Sequence, residues 1–224
     1  MSNTEKEFKG SSGQGNNPEI ATIMELTLNG NSQSAIERAG LLKSHAQIEV
    51  FCAKNIVWHL AENGQGQGVI DLIKDMESEA RKEILCTEGV VWGLVKNGYA
   101  PEVVELIRGL ESDDQKKDVL CTKDVVWALA AYAHGQDYIG LVKELGFETQ
   151  KEVLCTEGVV WELIEEGYGL DIVEMIEDLK IDKQMELLNN VNIRDSLIDG
   201  GFSESIDKIK HGWREELQNV PVPV

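Results

Sequence analysis

Proline is nearly missing from this chain, with four in 224 residues and two of those in the last four positions. Proline breaks helix interiors, so its scarcity favours an all-α fold. Positive charge is scarce too. Against 40 Asp and Glu stand only 21 Lys and Arg, a formal net charge of −19. A surface this acidic repels phosphate backbones and anionic headgroups, which argues against nucleic acid and membrane partners and for a basic protein surface. No apolar run approaches the roughly 18 residues of a membrane-spanning helix. The polar opening "MSNTEKEFKGSSGQGNNPE" has no apolar stretch of the secretory type. Its composition predicts a flexible tail over residues 1–17, because such side chains bury too little to offset the entropy of ordering. The four cysteines show no CxxC spacing, so the expectation is a reducing, cytoplasmic setting. HExxH, GxGxxG, Walker A and EF-hand patterns are lacking. His45, His59, His134 and His211 hold unrelated positions, and "GQGQG" at 64–68 precedes no lysine and reads as a turn. The expectation is a non-enzymatic protein without cofactor or metal.

Repetition is what the chain has in abundance. "CTEGVVW" stands at 86–92 and again at 155–161. Cys52, Cys86, Cys121 and Cys155 advance by 34, 35 and 34 residues, and Trp58, Trp92, Trp127 and Trp161 advance by the same steps. Such spacing marks stacked supersecondary units. The units begin "FCAKNIVWHLAENG", "LCTEGVVWGLVKNG", "LCTKDVVWALAAYA" and "LCTEGVVWELIEEG". Weaker copies flank them, with Met24 and Asp195 in the tryptophan position. Asp207 and Lys210 replace the apolar Val173 and Ile176 in the last copy, and Arg38 replaces Leu72 in the first. Terminal repeats need such polar faces, so both ends read as capped. The prediction is one helical-repeat domain over 18–213 with a C-terminal tail at 214–224. It is a right-handed α-superhelix of about six 34–35-residue units, each of three short helices.

Helix A is predicted over 56–63, 90–97, 125–132 and 159–166. Asn55, Gly89, Asp124, Gly158 and Asn192 break the chain before it, and Gly64, Gly98 and Gly167 end it. Helix B follows, with Pro101 in its first turn. Helix C opens near Ser44, Ser78, Ser112, Thr149 and Asp182, and Ser44/Gln47 and Ser112/Gln115 have capping-box spacing. The alternative fuses helix C with the next helix A. Trp58, Trp92, Trp127 and Trp161 are expected as core pegs, and truncating Trp92 or Trp127 would then cost about 3–5 kcal/mol. Cys52, Cys86, Cys121 and Cys155 are expected as small core side chains. Neighbours one repeat apart are about 8–10 Å distant, too far for a disulfide.

Two features are candidate binding surfaces. Residues 155–205 hold 13 acids and three bases, a net −10. Glu162, Glu165, Glu166, Asp171, Glu174, Glu177 and Asp178 crowd into one unit there and suit a basic partner. The position after the helix A glycine holds Tyr99, His134, Tyr168 and Phe202, with Asn31 and Gln65 before them. Stacked units would align these along one edge as an interface row, or tuck them over a neighbouring helix as caps.

The period and the paired apolar stretches, as in "VVWGLVKNG" followed by "VVELIRGL", resemble the α-solenoid class that includes tetratricopeptide, HEAT, armadillo and Pumilio-type proteins. The tetratricopeptide length matches, but its Leu-Gly pair after Trp does not occur. The pattern also resembles the repeats of TAL-effector DNA readers, whose basic inner surface this chain lacks. The resemblance implies a curved surface that binds proteins or peptides, and it transfers no site residues. The sequence therefore reads as a protein-binding scaffold, with a permanently packed structural subunit as the alternative.

Overall fold

A computed structural model describes residues 18–53 and 55–218; the predicted tail at 1–17 and residues 219–224 lie outside the described residues. All regular structure among the described residues is helical. The chain opens with α1 (Pro18–Leu28), α2 (Ser32–Gly40) and α3 (Ser44–Phe51). The next three are α4 (Ile56–Leu60), α5 (Gly66–Lys74) and α6 (Ser78–Leu85). They are followed by α7 (Val90–Lys96), α8 (Ala100–Arg108) and α9 (Asp113–Leu120), then by α10 (Lys123–Leu129), α11 (Gly135–Lys143) and α12 (Phe147–Cys155). The rest is α13 (Val159–Glu165), α14 (Gly169–Glu177), α15 (Ile181–Leu188), α16 (Val191–Asp199) and α17 (Ser203–Gln218). The last helix runs past residue 213, where the sequence suggested that the repeats end. Among the described residues no helix is long and apolar enough to cross a membrane.

Packing follows a period of three. One row is α1, α4, α7, α10, α13 and α16, each against the next; a second is α2, α5, α8, α11, α14 and α17; a third is α3, α6, α9 and α12, continued to α15 by the Lys151–Glu186 ion pair. Helices of seven to nine residues are marginal alone in water, so they depend on this lateral burial. The first row buries Val90, Val91 and Leu94 of α7 and their counterparts Val159, Val160 and Leu163 of α13. The third row buries the apolar pair before each cysteine, such as Ile84 and Leu85, and Leu187 and Leu188 before Asn189 at the end of α15. Each such side chain contributes about 1.5–3 kcal/mol relative to exposure.

The breaks lie close to where the sequence placed them, and the fused alternative does not occur. Asn55, Gly89 and Gly158 all adopt left-handed backbone, with φ of 67°, 83° and 89°. Asp124 and Asn192 instead lie inside helices that start two residues earlier, after Thr122 and Asn190. The Asn190 side chain accepts the N–H groups of Asn192 and Ile193, which makes a break at 192 unnecessary. Ser112 accepts the Gln115 N–H as its spacing predicts. Ser44 and Gln47 form no box, because Gln47 Nε2 donates to the Ala39 carbonyl at the end of α2. Gln150 and Gln184, at the matching position, likewise donate to the carbonyls of Leu145 and Leu179 beyond α11 and α14. These glutamines tie the second row to the third.

Ion pairs join successive helices of the third row. Lys82 Nζ lies 3.7 Å from Asp118, Lys117 Nζ 2.7 Å from Glu152 and Lys151 Nζ 2.6 Å from Glu186. The second row adds Arg108 with Glu144 and Lys143 with Asp178, at 3.0 and 3.7 Å. At the start, Arg38 of α2 makes a two-pronged pair with Glu19 of α1.

Candidate functional site

The repeat-edge residues are fixed by their backbone. Gly98 and Gly167 take φ of 91° and 93°. The following N–H groups, of Tyr99 and Tyr168, close back onto Leu94 and Leu163 carbonyls at 3.1 and 2.8 Å, and Phe202 does the same onto Leu197 at 2.8 Å. This is the Schellman ending, with the aromatic residue at its last position. Each ring then lies on the first residue of the preceding second-row helix. A Cβ at Gly66 would fall 2.1 Å from the Tyr99 ring, one at Gly135 2.3 Å from Tyr168, and one at Gly169 2.2 Å from Phe202. Where His134 replaces the ring, the matching residue is the buried Ala100, and the His134 ring sits 2.9 Å from Asp137. Tyr99, His134, Tyr168 and Phe202 are partly buried, as caps rather than an open interface row.

The tryptophans correct the expectation of core pegs. Trp58 and Trp92 are only partly buried, and Trp127 and Trp161 are 39% and 41% exposed. The reason is helical geometry. With Val90, Val91 and Leu94 facing inward, Trp92 falls off the apolar stripe, and the core is mainly aliphatic, with Phe51 and Tyr138 among its members. The rings instead form a surface row. Trp58 and Trp92 centroids are 6.1 Å apart, and Trp92 and Trp127 6.2 Å apart with planes 20° from parallel. Lys96 Nζ sits 4.5 Å from the Trp92 centroid and 5.7 Å from that of Trp58. Gly93 permits the close approach of α7 to α4, since a Cβ there would lie 2.8 Å from Trp58 Cα.

The cysteines run beside this row and are also half-buried rather than core. Thr87 and Thr156 hydroxyls donate to Cys52 and Cys121 Sγ of the preceding turn, each at 3.1 Å. Burial pushes all four thiols above the ordinary range, which keeps them protonated and unreactive near neutral pH. Among the described residues no group of three or more His, Cys, Asp or Glu could hold a metal ion.

The acidic cluster divides between two rows. Glu162 and Glu165 lie on α13, the helix that carries Trp161, with Glu166 just beyond it, and Glu165 and Glu166 are exposed. Asp171, Glu174 and Glu177 lie on α14, with Asp178 after it. There Asp171 accepts from Gln136 at 3.4 Å and Asp178 pairs with Lys143, so part of this group serves the joints between helices. Between α10 and α13 an open cleft of about 380 Å³ is lined by Cys121, Lys123, Val126, Glu157 and Glu162, with Gly158 at its edge. A second cleft, of about 450 Å³, holds Asp71, Lys74, Arg81, Glu102 and Glu105. It carries both signs of charge and selects no ligand chemistry.

The structure thus joins two things the sequence reading kept apart, the tryptophan row and the α13 carboxylates. The alternation Val-Val-Trp-x-Leu carried the missed signal. Comparison of the chain with family models, with curated proteins and with solved structures finds no match.

Proposed function

We propose that the chain is a right-handed α-solenoid of about six repeats that acts in the cytoplasm as a protein-binding scaffold, without catalysis or cofactor. It grips a basic protein or peptide along the first helix row, at the end where open tryptophans meet carboxylates. The observation that carries this reading is the pairing of Trp127 and Trp161, both more than a third exposed, with Glu162, Glu165 and Glu166. Partly exposed tryptophans supply large rigid contact area at low entropic cost, and clustered carboxylates steer a cationic partner. The second-row acids Glu174 and Glu177, both exposed, extend the same negative field.

The test is capture of partners from lysate at ~50 mM and ~500 mM salt, across which exposed ion pairs become screened. The full-length protein is compared with a Trp127→Ala/Trp161→Ala double variant and with Glu162→Gln/Glu165→Gln/Glu166→Gln. A partner held at low salt and lost in both variants is the expected result. A partner held equally at both salts and by both variants would show instead a permanently packed structural subunit.

A further inference from the structure

Lys96 shows what a cation does on the tryptophan row. One ammonium covers two rings, at 4.5 and 5.7 Å, and both rings are partly buried. Lys96 stands four residues after Trp92, one turn further along α7. The same position holds Ala131 after Trp127 and Glu165 after Trp161. Neither can supply a cation, and these are the two rings left more than a third exposed. Ala131 has no side chain beyond its Cβ to lie over the Trp127 ring. Glu165, itself exposed, puts a carboxylate where Lys96 has its ammonium.

We infer that Lys or Arg side chains of the partner protein take, at α10 and α13, the place that Lys96 takes at α7, one lying over the Trp127 ring and one over the Trp161 ring, where it pairs with Glu165. The inference rests on the protein-binding role proposed above and names the group that is bound. Indole faces attract cations through their quadrupole, and a neighbouring carboxylate adds direct charge complementarity. A guanidinium fits best, because it stacks flat on a ring while its N–H groups reach the carboxylate. Between Val159 and Glu165, α13 carries two acids and no base, so nothing on that helix competes for the place. A phosphate-bearing ligand would meet the same carboxylates and be repelled.

The experiment follows the indole N–H signals of the full-length protein by NMR, at physiological ionic strength. The probe is a short peptide, blocked at both ends, that bears arginines; the controls are its serine counterpart and a single-stranded oligothymidylate. The arginine peptide is expected to shift the Trp127 and Trp161 signals and leave Trp58 in place. Ala131→Lys and Glu165→Lys each provide an internal cation and are expected to weaken the peptide by about two- to fivefold per ring covered. Glu165→Gln, which removes only charge, weakens it less than Glu165→Lys. Ala131 is partly buried and Glu165 exposed, and thermal midpoints of the variants check that they fold. Peptide binding that moves no indole signal, or that survives both lysine variants, overturns the slot while leaving salt-sensitive capture of a partner intact. Failure of the arginine peptide to bind also overturns it. Oligothymidylate shifting the same two signals would mark a base-stacking platform and overturn it as well. Partner capture that ignores both salt and the tryptophan double variant would bring down the broader binding role.

Discussion

Trp92 and Trp161 close the same seven-residue stretch, "CTEGVVW", yet they live differently. Trp92 stacks between Trp58 and Trp127 under Lys96, and its indole Nε1 is buried without a hydrogen-bond partner. Trp161 has Glu165 in place of that lysine and is 41% exposed. Identical letters therefore give the same backbone, a left-handed glycine followed by a short helix, but different surfaces. What decides between them lies one turn further on, and in the neighbouring segment. A repeat protein can hold its architecture constant and vary its surface at single positions.

The comparison can be broken by mutation. Trp92→Ala is expected to lower unfolding stability by about 3 kcal/mol, and Trp161→Ala by less than about 1 kcal/mol, in denaturant titrations. Equal costs would mean that the two tryptophans play the same part after all. Gly93→Ala tests the covered end alone. Its new methyl meets the Trp58 backbone at 2.8 Å, so α4 and α7 must move apart, at about 1–3 kcal/mol. The matching residue at the open end is Glu162, which already has a Cβ, so Glu162→Ala should be close to neutral.

Where the two regions meet, Tyr138 of α11 is fully buried and its hydroxyl donates to the Leu120 carbonyl at 2.7 Å. Tyr138→Phe leaves that carbonyl unpaired and is expected to cost about 1–2 kcal/mol. The smallest effect concerns the thiols. Their pKa values are raised by burial, so at alkaline pH the unfolded chain loses these protons first. Stability is then full below about pH 8.5, the ordinary thiol value, and falls as pH rises above it. Thermal midpoints between neutral pH and about pH 10 should decline, and a four-cysteine-to-alanine variant should decline less.

Much of this architecture was legible in the sequence because its signals are local. A glycine that must adopt positive φ, such as Gly98 or Gly167, reports its own backbone, and the 34-residue spacing reports the stacking partner. The tryptophans were misread because hydrophobicity was taken as burial. Their place two residues before Leu94 or Leu163, off the apolar stripe, was the better guide. The repeat-edge rings were half legible. Their alignment followed from the spacing, but their seats on Gly66, Gly135 and Gly169 depend on a pairing 33 positions apart that only folding brings together. The glutamine ties were missed for a related reason: the capping-box pattern offered Gln47 a local partner, and a carbonyl across the turn won, while Gln150 and Gln184 carried no local signal.

Three lysine pairs of the third row point toward the C-terminus, while Lys183 reaches back to Glu148 at 3.4 Å. Lys82 reaches to Asp118, Lys117 to Glu152 and Lys151 to Glu186, each spanning 35 or 36 residues toward the C-terminus. A joint of that kind is indifferent to which copy lies downstream, as long as the copy presents an acid at the receiving position. Removing one whole period, or inserting another, would hand each lysine a new but equivalent mate. A gain or loss of one such period would thus preserve these joints, whereas one of any other size would disturb the joint that spans it.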